Sequence, residues 1–218
     1  SSLLGDAAFR AAYEESIQAC SKHMDVSNLI RLGKDATADK LLDDASIAQP
    51  YGFCIAYALS KAILAKTTTK LEAVIGHSLG EIAACCVAGV LSLHDAARLV
   101  VLRGRVVSAK AIEGATVAVS ASAEEVEALV NVEVAADNST KGCAIAGAVD
   151  AVDVAIEALT AKGLKTKKLR ASTGYHSRCV DGCLEDMPTT AFQPSACAVY
   201  STVTGARLMN EGDDYWRR

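Results

Sequence analysis

Residues 74–81 read V-I-G-H-S-L-G-E. A serine stands between two glycines, straight after an apolar run and beside a histidine. The pattern fits G-x-S-x-G, a sharp strand-to-helix turn that lifts a serine hydroxyl into the open. Glycine suits such a turn, because backbones come close there and φ can become positive. The helix N-terminus beneath the serine favours developing negative charge. Two readings of Ser78 follow: a nucleophile for covalent catalysis, with the Leu79 N–H as first oxyanion donor, or a tight structural turn.

A serine hydroxyl needs a base. The chain has four histidines. His77 is adjacent to Ser78, and neighbours in such a turn point apart. His23 lies in the first amphipathic segment and His94 in the first turn of a later helix, where structural or surface roles are ordinary. His176 follows S-T-G-Y, a glycine-containing loop after the last strand of a small subdomain, and is the best candidate base. Arg103, in L-R-G-R, follows two helices beyond the serine. A helical arginine is usually solvated, but a guanidinium also makes a planar two-pronged fit to a carboxylate; both readings stand. His176, Cys179 and Cys183 have helical spacing and could offer three metal ligands. No fourth ligand is evident, and zinc sites favour tighter pairs, so no metal is expected.

These residues need elements to hold them. Residues 6–24 carry apolar side chains at helical spacing. A polar stretch follows, then A-Q-P-Y-G-F-C-I-A-Y-A-L, apolar on all sides, which predicts a buried helix opening close to Pro50. Leu71 to Ile75 predicts a buried strand, and Leu79 to Ala88 a helix closed by Gly89. Ser92 and Asp95 form an S-x-x-D start signal for the helix that carries Arg103. From Thr116 the pattern becomes strand 116–120, helix 123–130, strand 132–136, an N-S-T-K-G turn, strand 143–146, helix 149–161 closed by Gly163, and strand 165–169. That βαββαβ order is the ferredoxin-like unit. A short helix after Ser177 and a strand at 196–201 return to the larger body. The expected class is α/β: an α/β-hydrolase-like large subdomain, 1–114 and 173–218, with a ferredoxin-like small subdomain, 115–172, inserted.

Bulk properties narrow the classes. The chain has 218 residues, 51% hydrophobic but only 5% aromatic, with a formal net charge of -4. An acidic balance argues against nucleic acid as partner. No apolar run is long enough for a spanning helix. The first residues are neither a signal nor a transit peptide. Eight cysteines without C-x-x-C read as buried free thiols in a reducing, cytoplasmic compartment, or in an organelle if a targeting segment has been removed.

G-H-S-L-G-E, the placing of Arg103, the ferredoxin-like insert and the later G-Y-H-S together resemble the malonyl-CoA:acyl carrier protein transacylases. That family includes the acyltransferase domains of fatty acid and polyketide synthases. The likeness runs from Ala48-Gln49-Pro50 to Tyr215-Trp216. It also includes L-L-D-D-A-S-I-A-Q-P, the N-S-T turn with A-I-A-G, and V-Y-S-T-V-T-G. It implies that Ser78 takes the acyl group from coenzyme A as an ester. His176 would be general base and then acid, oriented by a backbone carbonyl, and Arg103 would hold the malonyl carboxylate. Gln49 and Asn138 match positions near the pocket. Leu79 and Tyr175 resemble malonyl-type members, since a ring before the histidine fills the space an α-methyl would need. S-T-G resembles the discrete or mitochondrial-type transacylases.

The chain also departs from the family. It lacks the opening G-Q-G-S-Q-like segment, whose Gln gives the second oxyanion donor. It stops at Arg217-Arg218, before the residue whose carbonyl holds the histidine, and Arg178-Cys179-Val180 replace P-L-M. Truncation at both ends is therefore expected, and losing one oxyanion donor costs roughly 10² to 10³ in rate. The implied substrates are malonyl-CoA and the phosphopantetheine thiol of an acyl carrier protein, with neighbouring synthase domains as further partners and no cofactor. K-G-L-K-T-K-K-L-R holds Lys165, Lys167, Lys168 and Arg170. It reads as a docking patch for an acidic carrier protein or as a charged edge that resists aggregation. The rival readings are a serine hydrolase or thioesterase with the same turn, and a non-catalytic transferase remnant with a scaffold role.

Overall fold

The computed structural model describes residues 3–32, 35–171, 173–209, 211–212 and 214–217. The chain divides into two compact units, residues 1–105 with 187–218, and residues 106–186.

The first unit is mainly helical. α1 spans Ala7–Ser21 and starts where the Asp6 carboxylate accepts from the N–H groups of Ala8 and Phe9. That cap satisfies two of the donors a helix leaves open at its start. Phe9, Tyr13, Ile17 and Cys20 recur at helical spacing and are buried, against α3, Ala45–Leu64. α2, Ser27–Leu32, runs up to the stretch read as merely polar, residues 32–45, and a 3-10 segment, Ala36–Asp43, lies within it. Gly33 and Lys34 of that stretch lie outside the described residues, as does Ser172 of the S-T-G-Y loop. α3 begins five residues before the position expected from Pro50. Asp44 caps it by accepting from the Ser46 N–H, so Pro50 sits inside the helix. The cost of one missing backbone donor is borne by a helix whose Phe53, Cys54 and Ala58 are fully buried.

β1 covers only Ala73–Ile75 and pairs in parallel with β6, Ala198–Tyr200, with Val74 opposite Val199. It was expected to be buried; instead Val74 is half-buried and Ala73 and Ile75 are exposed, Ile75 by 67%. β6 is its one neighbour among the described residues, so β1 is an edge strand rather than an interior one. α4, Leu79–Val87, ends at Gly89, whose φ of 81° suits glycine. α5, Leu93–Lys110, starts as its S-x-x-D signal predicts. Ser92 Oγ accepts from the Asp95 N–H at 3.1 Å and donates to the Asp95 carboxylate at 2.6 Å. The last turn of α5 belongs to the second unit.

The second unit runs strand, helix, strand, strand, helix, strand: β2 Ala115–Val119, α6 Ala123–Glu127, β3 Glu133–Ser139, β4 Gly142–Gly147, α7 Val149–Ala161 and β5 Thr166–Lys168. The sheet order is β3-β4-β2-β5 with every neighbouring pair antiparallel. Val117, Val126, Ile145, Val152 and Leu159 form its core, each fully buried. β3 runs on through Ser139 because its register shifts twice against β4. Asn138 therefore lies near the strand end, not in the turn the sequence suggests. Segment 115–172 lies inside this unit. Its flanks join through Ile112 N–H to Cys179 O, Cys183 Sγ to Val106 O and the Lys110–Asp186 ion pair. Among the described residues no helix is long and apolar enough to cross a membrane.

Candidate active site

The turn between β1 and α4 is built by close backbone approach. A Cβ on Gly76 would lie 2.1 Å from Gly80 O and 2.5 Å from Glu81 N, so no side chain fits there. Gly80 differs from expectation: a Cβ there would meet nothing within 4 Å. The positive φ falls on Ser78 itself, at φ 52° and ψ -120°. A non-glycine residue held there is strained, and such strain gathers where function requires it. The Ser78 side chain makes no capping bond to α4. The turn's own bonds engage Gly80 N–H, to His77 O, and Glu81 N–H, to Ser78 O, both at 2.9 Å. Leu79 N–H occupies the first helical position, where a helix has no acceptor of its own. The helix dipole favours an anion at that position.

Arg103 and Gln49 meet. Gly104, next to Arg103, packs so tightly that a Cβ would lie 2.6 Å from Ala45 O. That close approach of α5 to α3 lets Arg103 Nη1 donate to Gln49 Oε1 at 2.6 Å. Gln49 is 4% exposed, and its Nε2 is buried with no partner among the described residues. A half-buried guanidinium oriented by a buried amide is preorganised for a planar anion.

The second unit carries His176 and Tyr175 in a turn. Thr173 Oγ1 donates to Ile112 O at 2.7 Å, and Ser177 Oγ donates to Gly174 O at 2.6 Å. A Cβ on Gly174 would lie 2.8 Å from Gly147 N, so that glycine also allows a close approach. His176 is exposed, with φ 58°, and Tyr175 is half-buried. Among the described residues Ser78 and His176 are the two non-glycine residues with positive φ. Cys179 and Cys183 beyond them are buried, and no described group of three or more His, Cys, Asp or Glu is placed to hold a metal ion. Asn138 is exposed near the end of β3. Lys165, Lys167, Lys168 and Arg170 are exposed on and beside edge strand β5, and Lys168 Nζ pairs with Asp153 at 2.8 Å.

His77 is exposed. His23 lies just past the end of α1, with its ring centroid 4.9 Å from that of His94.

Sequence reasoning missed one cluster beside the turn. Glu81, 2% exposed, accepts from Thr202 N–H at 3.0 Å, from Thr202 Oγ1 at 2.8 Å and from the Tyr215 hydroxyl. Its only signal was an acidic residue in an otherwise apolar helix, which reads equally as a surface position or a helix-start charge.

Residues 1–210 match the family model of the acyl transferase domain. The chain is 38% identical over 191 residues to a mycoketide-CoA synthase of Mycobacterium tuberculosis, covering 83% of this chain and 4% of that one. It is 35% identical over 219 residues to a phenolphthiocerol-synthesis type I polyketide synthase of Mycobacterium marinum, covering 95% and 10%. The chain thus spans a small part of these relatives. Among solved structures, a loading acyltransferase of the avermectin modular polyketide synthase superposes with a TM-score of 0.89 at 30% identity, covering 99% of this chain and 72% of that one. An acyl-carrier-protein S-malonyltransferase of Bartonella henselae superposes at 0.78 with 27% identity, covering 95% and 69%.

Proposed function

Because the chain belongs to the acyl transferase domain family, we propose that it moves a malonyl group from malonyl-CoA to the phosphopantetheine thiol of an acyl carrier protein, in fatty acid or polyketide synthesis. The transfer runs in two steps through an ester on Ser78. In the first, Ser78 Oγ attacks the thioester carbonyl, the C–S bond breaks, and the serine proton leaves with the coenzyme A thiol. In the second, the carrier thiol attacks the ester, a C–S bond forms, and the proton returns to Ser78. His176 is the general base and acid that carries this proton in both directions. Leu79 N–H stabilises the tetrahedral oxyanion. Arg103 holds the free malonyl carboxylate, with Gln49 orienting the guanidinium. Tyr175 limits bulk at the α-carbon, and Asn138 belongs to the substrate side. No metal or cofactor enters these steps.

The strained turn carries this reading. Ser78, forced to φ 52° between a strand and a helix N-terminus, is the geometry a nucleophilic serine needs. The reading also carries an architecture: an α/β-hydrolase-like body with a ferredoxin-like insert, and the strand order β3-β4-β2-β5 supports the second part. Lys165, Lys167, Lys168 and Arg170 then form a basic edge for an acidic carrier protein.

The test is incubation with radiolabelled malonyl-CoA, followed by addition of carrier protein. Label is expected on Ser78, absent from Ser78→Ala, and passed to the carrier thiol. No ester on the wild-type protein would sink the transferase reading in favour of a scaffold. Release of free malonate without carrier dependence would replace it by a hydrolase.

A further inference from the structure

The buried carboxylate of Glu81 is not accounted for by any step above. It lies in the first turn of α4, three residues after Ser78, and is 2% exposed. A carboxylate taken out of water costs several kcal/mol unless hydrogen bonds replace the lost hydration. Here three donors do so. Thr202 supplies its N–H at 3.0 Å and its hydroxyl at 2.8 Å to Oε2, and Tyr215 supplies its hydroxyl to Oε1. The helix dipole adds a favourable field at this position.

Each donor is itself fixed. The Thr202 hydroxyl also reaches Gly76 O, at 3.4 Å, on the strand side of the turn. The Tyr215 proton is given to Glu81, so Ser201 Oγ donates to the Tyr215 oxygen. Ser201 Oγ in turn accepts from the N–H groups of Val203 and Thr204, at 3.1 and 3.2 Å. Tyr215 is 1% exposed and packs edge-on against Phe192 and Trp216, at 5.6 and 5.0 Å between centroids. Burial first, then the bond to Glu81, pushes the Tyr215 hydroxyl well above the usual tyrosine range, so it stays a donor. The cluster ties three pieces of chain to one side chain: the exit of β6, the Tyr215 segment and the first turn of α4.

A strained residue persists only where its surroundings over-determine it. Gly76 and Glu81 bracket Ser78; Thr202 bonds Glu81 through its N–H and hydroxyl, and that hydroxyl oxygen lies 3.4 Å from Gly76 O. We infer that Glu81 is a positioning residue: its buried carboxylate, clamped by Thr202 and Tyr215, holds the turn that keeps Ser78 in its strained backbone conformation. The consequence for chemistry rests on the nucleophile reading of Ser78; the consequence for the turn does not.

Two readouts separate these. Amide hydrogen exchange reads the turn without reference to any reaction. The second is phosphonylation of Ser78 by an alkyl fluorophosphonate, in which an O–P bond forms, the P–F bond breaks and fluoride leaves with the serine proton. In Glu81→Ala, exchange at the Gly80 and Glu81-position amides is expected to accelerate at least about tenfold while α1 amides stay unchanged. The limiting rate of phosphonylation is expected to fall roughly 10- to 100-fold at unchanged reagent affinity, since a misplacement of about 1 Å can cost that much. Glu81→Gln, which keeps one acceptor oxygen for Thr202 and turns an NH2 donor toward the Tyr215 oxygen, restores part of both. If Glu81→Ala does not fold, the double variant Thr202→Val/Tyr215→Phe removes two of the three donors and carries the same expectation. Exchange that accelerates equally everywhere, or not at all, in a folded variant overturns the inference. A wild-type protein that resists phosphonylation at Ser78 refutes the nucleophile reading instead, and the exchange data still decide the role of Glu81.

Discussion

Replacing Gly76 with alanine should cost far more than replacing Gly80, although the two glycines frame the same motif. A Cβ at Gly76 would sit 2.1 Å from Gly80 O, 2.2 Å from Gly80 C and 2.5 Å from Glu81 N. All three are backbone atoms of the first turn of α4, so no side-chain rotation relieves the overlap. The turn must open by about 1 Å, which breaks at least one of its two 2.9 Å bonds. Overpacking costs about 1–3 kcal/mol where neighbours can yield, and more where they cannot. With one lost hydrogen bond of about 1 kcal/mol added, the cost is about 4 kcal/mol, at the diagnostic end for a single substitution. At Gly80 the added Cβ meets nothing within 4 Å, so alanine should stabilise α4 by about 0.5–1 kcal/mol. The assay is urea unfolding followed by circular dichroism. With a slope of about 2 kcal/mol per molar, Gly76→Ala should lower the midpoint by about 2 M and Gly80→Ala should raise it slightly. A Gly76→Ala midpoint within about 0.5 M of wild type would refute the steric argument for the turn.

Two further outcomes follow from named contacts. Arg103→Ala should weaken acylation by malonyl-CoA at least about tenfold relative to acetyl-CoA, because a charge-assisted bond is worth about 1.5–3 kcal/mol; equal losses for both substrates would make Arg103 structural. His23 has its imidazole pKa lowered by burial first and then by the charges of His94, Arg98, Lys22 and Arg105. A lowered folded value favours the neutral ring, so the stability it contributes is present above about pH 6.5, the unfolded value, and is lost as pH falls below it. The thermal midpoint should therefore drop between pH 7.5 and 5.0 by more in wild type than in His23→Gln, and identical drops would remove His23 from the account.

Much of the local geometry was legible in the residues. Ser92 and Asp95 announced the start of α5, Gly89 and Gly163 the ends of α4 and α7, and apolar spacing the strands and helices of residues 115–168. These signals are local: a cap or a helical stop needs only neighbours within one turn. The turn at V-I-G-H-S-L-G-E was legible for the same reason, and so was Ser78 as the residue to examine. The start of α3 was not, because Asp44 outweighed Pro50, and a capping aspartate in a polar stretch looks like any other. The exposure of β1 was not, because an apolar triplet does not reveal how many strands flank it.

The amino-acid sequence by itself determined which turn is strained and which side chains could do chemistry near it. Tertiary structure decided which glycine the turn cannot lose, that Arg103 is oriented by Gln49, and that Glu81 is a buried clamp rather than a surface charge. The partners of Glu81 lie 121 and 134 residues away along the chain. No local pattern encodes such a meeting. It arises when β6 pairs with β1 and brings Ser201, Thr202 and Tyr215 to a carboxylate that cannot stay buried without them.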